Sequence, residues 1–87
     1  MDKKIIYFSL KGCSQCEMFK PVFEGVMKEL NLPYEVYVLP DAPFEVKKLV
    51  YKNNIQTFPT TLVISGETSA KLEGAKPPAK LKEFLTS

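Results

Sequence analysis

Two hydrophobic periods follow one another at the start of this chain and dictate how it can fold. Lys4-Ile5-Ile6-Tyr7-Phe8 is rich in β-branched and aromatic residues and has the character of a buried strand. After the loop Ser9 to Gly12 the spacing changes. Phe19, Val22, Phe23, Val26, Met27 and Leu30 recur on one helical face, while Lys20, Glu24, Lys28 and Glu29 fall largely on the other. A helix is predicted from near Ser14 to Leu30-Asn31, with Pro21 inside it removing the bond to the Glu17 carbonyl and introducing a kink. Tyr34 to Leu39 returns to strand alternation, with Tyr34, Val36 and Val38 on one face. Strand, helix and strand in that order imply a parallel pair joined by a right-handed crossover, since parallel neighbours need a connection long enough to hold a helix.

The rest of the chain completes a sheet. Pro40-Asp41-Ala42-Pro43 is expected to turn into a second helix, capped by Asp41, that passes Phe44, Leu49 and Tyr51 and stops at Asn53-Asn54. Ile55 to Pro59 is irregular, and Thr60 to Ser65 and Ser69 to Glu73 are short strands around a Gly66-Glu67 hairpin. Gly74 breaks the pattern, and Pro77-Pro78 open a last helix whose buried face holds Leu81, Phe84 and Leu85. The predicted fold class is α/β, in the order β-α-β-α-β-β-α, with a four-stranded mixed sheet flanked by helices. Residues 1–87 are expected to form one domain, because the chain is shorter than the ~100–200 residues of an ordinary one.

Charge and hydropathy narrow the partners. All 12 basic residues are lysines, against 10 acids, so the planar guanidinium forks that grip phosphates and base edges are missing and nucleic acid is not an expected partner. The longest apolar runs, Ile5 to Phe8 and Leu62 to Ile64, fall far short of the ~18–20 residues that cross a bilayer, which argues against a membrane partner. Asp2-Lys3-Lys4 leads into too short a run for a secretory signal, so the expected compartment is the cytoplasm; the expected state, taken separately, is a monomer.

Chemistry concentrates in Gly12-Cys13-Ser14-Gln15-Cys16, which holds both cysteines of a chain that has no histidine. A loop this short gains little from a staple, because disulfide stabilisation grows with loop length. A tetrahedral metal site needs four ligands and this pair supplies two, so zinc would require carboxylates or a second subunit; no metal and no cofactor are expected. Two inert core residues remain an alternative, and redox chemistry is the third. The pair falls directly after the first strand and across the start of the long helix, where unpaired N–H groups and the positive end of the helix dipole favour a thiolate on Cys13. Cys16, one turn deeper, is placed to resolve a mixed disulfide formed on Cys13.

Cys13-Ser14-Gln15-Cys16 after a strand, Pro21 five residues beyond, Phe58-Pro59-Thr60 opening a later strand, and Gly74-Ala75 ahead of a final Lys-Leu-Lys-Glu-Phe-Leu helix together resemble the thioredoxin superfamily over nearly the whole chain. In size the chain is similar to glutaredoxins and to small archaeal and phage thioredoxins. The resemblance implies a dithiol-disulfide oxidoreductase that reduces protein disulfides, with Cys13 attacking and Cys16 resolving. It implies a cis bond before Pro59, beside the dithiol, with the Phe58 backbone open to an extended substrate. Gly74 then corresponds to the glycine of the substrate groove, Pro21 to the proline that kinks the active-site helix, and Gly12 to part of the rim. Implied partners are disulfide-bearing client proteins and, as electron source, a thioredoxin-type reductase or glutathione; ribonucleotide reductase is one candidate recipient. The alternatives are a glutathione-dependent glutaredoxin and, in another class, a non-catalytic binding module of the same fold.

Several positions depart from the superfamily pattern. Gly12 stands where thioredoxins usually carry Trp, Ser14-Gln15 where they carry Gly-Pro, and Tyr7 where they bury an Asp near the second cysteine. Gly74-Ala75-Lys76 replaces the Gly-Gly pair and acid with which glutaredoxins hold glutathione. Tyr7 reads as a half-buried strand residue, with a part in proton transfer as the alternative; Lys11 as a solvated loop lysine, with support of the thiolate or a contact to a glutathione carboxylate as the alternative; Glu17 and Lys20 as surface charges; and Met18 as core filler, with a place in the groove as the alternative.

Overall fold

Alternation along β1 (Lys3–Leu10) divides the interior in two. Ile5 and Tyr7 enter one core and Ile6 and Phe8 the other, so this strand is buried on both faces. The computed structural model, which describes residues 3–86, continues through α1 (Ser14–Leu30), β2 (Glu35–Leu39), α2 (Phe44–Lys52), β3 (Thr60–Ser65), β4 (Thr68–Glu73) and α3 (Pro78–Thr86). The element order is the expected one, and the sheet is mixed, with strand order β2-β1-β3-β4. β1 pairs in parallel with β2, Tyr7 opposite Val36, and antiparallel with β3, Ile6 opposite Leu62. β3 and β4 form the hairpin, whose turn places Gly66 at φ 62°, a conformation that costs a glycine nothing.

One core lies under α1 and α3, where Phe19, Phe23, Val26 and Met27 of α1 meet Leu81 and Leu85 of α3 over Ile5 and Tyr7. An ion pair between Glu29 and Lys82 joins the same two helices at the surface. The other core is smaller: Val46 of α2 packs with Ile6, Phe8, Ile55 and Leu62, and Leu49 and Val50 close its edge. Each such side chain taken fully out of water contributes about 1.5–3 kcal/mol, which makes the α1 side the larger share of the stability.

Three expectations are corrected. β1 runs on through Ser9 and Leu10, because these residues pair with Val38 and Leu39 of β2. Asp41 does not cap α2. Pro43 occupies that position without a side-chain bond, and its carbonyl accepts the Val46 and Lys47 N–H groups at 3.0 and 3.1 Å, while Ala42 N–H turns back to the Pro40 carbonyl. β2 begins at Glu35, so Tyr34 precedes it; on the face that Val36 and Val38 share, Val36 packs on the α1 core and Val38 is exposed, as an edge strand with a neighbour on one side allows. α1 continues through Pro21 to Asn31, whose left-handed φ of 56° ends it. Among the described residues no helix is long and apolar enough to cross a membrane.

Candidate active site

β1 and β2 end side by side, and the chain passes from β1 into α1 through Lys11 and Gly12. Lys11 N–H donates to the Leu39 carbonyl at 2.8 Å and Cys13 N–H to the Leu10 carbonyl at 3.0 Å. That tight turn holds Gly12 at φ 81°, where an L side chain is strained even though nothing lies within 4 Å of a Cβ placed there. The turn delivers Cys13 to the N-cap of α1 in an extended conformation. Its Sγ accepts the Cys16 N–H at 3.1 Å, the bond that a Ser or Asp oxygen ordinarily makes at such a position, and its carbonyl accepts the Glu17 N–H at 3.2 Å.

Cys16 lies one turn inside the helix and is 1% exposed, whereas Cys13 is half-buried. Their Cα atoms are 5.3 Å apart, inside the disulfide range, and the two sulfurs are bonded. Accessibility separates the two sulfurs chemically: an incoming molecule can reach Cys13 while the protein covers Cys16.

The opposite wall comes from the start of β3. Cys13 Sγ lies 3.9 Å from the Phe58 carbonyl oxygen. The Phe58-Pro59 peptide bond is cis, Pro59 is buried, and its carbonyl accepts the Gly74 N–H at 2.7 Å. The Thr60 hydroxyl donates back to the Thr57 carbonyl, closing the turn that leads into β3. Phe58 and Pro59 are thus brought to Cys13, Gly74 to Pro59, and Gly12 stands immediately before the dithiol. A second cis bond, Leu39-Pro40, lies in the turn tied to Lys11; no pattern in the sequence had marked it.

Tyr7 differs from its expected half-buried setting. It is fully buried, its ring centroid sits 4.8 Å from that of Phe23 and 6.1 Å from that of Phe19, and its hydroxyl donates to the Cys16 carbonyl at 2.8 Å. Burial, with a smaller effect of the Glu24 carboxylate, pushes the phenol up to about 12. The hydroxyl therefore keeps its proton at neutral pH and acts as a donor. Alternation with Ile5 was the available signal, because a tyrosine turned into a core needs a hydrogen-bond partner for its hydroxyl. Met18 is also corrected: at 77% exposure it fills no core. Lys11, Glu17 and Lys20 are exposed, as expected.

The sequence matches the family profile described as Thioredoxin over residues 1–87. No curated protein sequence is similar enough to match. Solved structures share the fold. The thioredoxin from Aeropyrum pernix superposes with a TM-score of 0.82 at 20% identity, covering 97% of this chain and 73% of its own. Fasciola hepatica thioredoxin gives 0.77 at 22% identity, with 97% and 78% covered. Chloroplastic thioredoxin z gives 0.72 at 22% identity, with 97% and 75% covered.

Proposed function

We propose, for a chain that belongs to the thioredoxin family over residues 1–87, that its thiol-disulfide chemistry serves the reduction of disulfide bonds in client proteins. The observation that carries this reading is the placement of Cys13: half-buried at the head of α1, with the Cys16 N–H aimed at its sulfur and Cys16 covered behind it. In the reduced protein the same N–H and the helix dipole stabilise a Cys13 thiolate.

The thiolate attacks one sulfur of the client disulfide. The client bond breaks as the Cys13–client bond forms, and the departing client thiolate takes up a proton. Cys16 then gives up its proton and attacks Cys13 Sγ. The mixed bond breaks, the protein disulfide forms, and the second client thiolate leaves and is protonated, so two electrons and two protons have passed to the client. Gly12, Phe58 and Gly74 form the rim that meets the client, supported by the buried Pro59 behind it, with the Phe58 backbone beside the reacting sulfur offered to an extended segment. A thioredoxin-type reductase is the proposed electron source in preference to glutathione. The chain has no arginine for the two glutathione carboxylates, and Gly74-Ala75-Lys76 lacks the glutaredoxin pattern. A reducing compartment such as the cytoplasm suits this role.

Insulin reduction driven by dithiothreitol tests the reading. Turnover is expected from the parent protein, a trapped client adduct from Cys16→Ser, and neither from Cys13→Ser. Absence of turnover, or trapping through Cys16 in place of Cys13, overturns it.

A further inference from the structure

The outer face of α2 takes no part in the dithiol chemistry and is the least expected surface of the molecule. Val46, Leu49 and Val50 turn inward, which leaves Phe44, Lys47, Lys48 and Tyr51 in one outward stripe at helical spacing, with Lys52 beside it. Phe44 is 73% and Tyr51 91% exposed, and they border a shallow groove of about 650 Å³ lined entirely by α2 side chains. Large aromatics this open are informative, because a lone folded chain gains by covering them. The charge on the stripe is also particular. α2 carries three lysines and one acid, Glu45, leaving nine lysines against nine acids in the rest of the chain, so the whole net charge of +2 resides on this helix. Among the described residues the ion pairs are Lys4–Glu35, Lys71–Glu73 and Lys82–Glu29; none involves α2. Lys48 instead lies 5.5 Å from the Phe44 ring centroid, holding charge and aromatic face together.

The stripe starts at the reactive end. α2 follows the turn whose Leu39 carbonyl is tied to Lys11, two residues before Cys13, so the stripe begins at the same end of the sheet as the dithiol. We propose that the α2 stripe Phe44-Lys47-Lys48-Tyr51 is a docking surface for acidic, apolar segments of disulfide-bearing client proteins, selecting them for reduction by Cys13. The inference rests on the reductant reading above and adds to it the class of client. Unpaired surface lysines attract acidic segments and raise the encounter rate, and the two aromatics supply area to hold them once docked.

Two synthetic peptides with the same internal disulfide, one extended by Glu and Leu residues and the other by Lys and Leu, test it in single turnovers of the pre-reduced protein. At low ionic strength the acidic peptide is expected to react about tenfold faster, and the ratio to fall toward one as salt screens exposed charges. K47Q/K48Q/K52Q is expected to abolish the ratio while leaving the rate with a small uncharged disulfide unchanged. Phe44→Ser with Tyr51→Ser is expected to slow both Leu-bearing peptides at high salt, where the apolar contact is what remains, while leaving the rate with the small uncharged disulfide unchanged. Equal rates for the two peptides overturn the docking surface and leave the dithiol reading intact, whereas reaction with neither overturns the dithiol reading, and the docking proposal with it. Stronger binding at Lys47, Lys48 and Tyr51 by anionic phospholipid vesicles or a single-stranded oligonucleotide than by the acidic peptide, read by NMR shifts, also overturns the proposal, in favour of lipid or nucleic acid.

Discussion

The phenol of Tyr7 shows how much one side chain can hold in place. Its hydroxyl ties β1 to the Cys16 carbonyl, joining the strand to the backbone of the buried cysteine. Tyr7→Phe is expected to lower stability by about 0.5–1.5 kcal/mol, the usual net worth of one internal hydrogen bond, as read by urea unfolding. The pH dependence carries a second signature. With the folded phenol raised to about 12, its contribution is fully present below the ordinary tyrosine value of ~10. It falls as pH rises above that, because the unfolded chain loses a proton that the folded one keeps, and it is gone once the folded phenol ionises. Tyr34 and Tyr37 are also raised, by burial beside Glu24 and by the bond to Glu35 respectively, so the alkaline slope belongs to several groups. Tyr7→Phe should make that slope shallower by about one proton between pH 10 and 12, close to 1.4 kcal/mol per pH unit; an unchanged slope would contradict the buried hydroxyl. The thiols themselves were legible, since their spacing and their place between two hydrophobic periods are local facts. The Tyr7 bond was not, because it depends on which turn of α1 comes to rest over the strand.

Among the elements, those with long, regular patterns were legible and their ends less so. The α1 face from Phe19 to Leu30 packs as its spacing implied, and Asn31 stops it as an asparagine can. Asn31 N–H donates to the Lys28 carbonyl at 3.2 Å and Leu32 N–H to the Met27 carbonyl at 3.0 Å, a closure that needs the left-handed residue between them. Asn31→Val is therefore expected to cost about 1–2 kcal/mol, and Asn31→Gly to stay within about 1 kcal/mol of the parent, by urea titration of all three proteins. The start of α2 departs from its sequence pattern for a different reason. Asp41 has the right chemistry for a cap, yet Pro40 and Pro43 set the path of the turn and carry the helix start past it. In β2 the alternation puts Val36 and Val38 on one face, yet Val36 is covered and Val38 is not, because at the edge of the sheet position decides exposure and side-chain type does not.

For the molecule as a whole, two cores on either side of a single sheet make its central strand the common support. Phe8 is fully buried in the smaller core, so Phe8→Ala is expected to cost about 3–5 kcal/mol. In a domain whose total stability is about 5–15 kcal/mol, that is a drop in Tm of more than about 12 °C. Calorimetry should show it, while Met18→Ala, on the surface, changes stability by no more than about 0.5 kcal/mol. The overall order of strands and helices was legible because each element announces itself locally. The pairing of β1 with β3 was not, since it joins residues on opposite sides of α1 and α2 in the chain. The same pairing has a consequence during translation. The strand that ends up in the middle of the sheet is made long before the partner that closes its far edge. A ribosome that has delivered β1, α1, β2 and α2 holds a chain with one edge of β1 covered by β2 and the other bare, and with Ile6 and Phe8 still waiting for Leu62. Stalling at that point leaves a sticky nascent chain rather than half a folded protein, and the last third of the message decides whether the first third is ever protected.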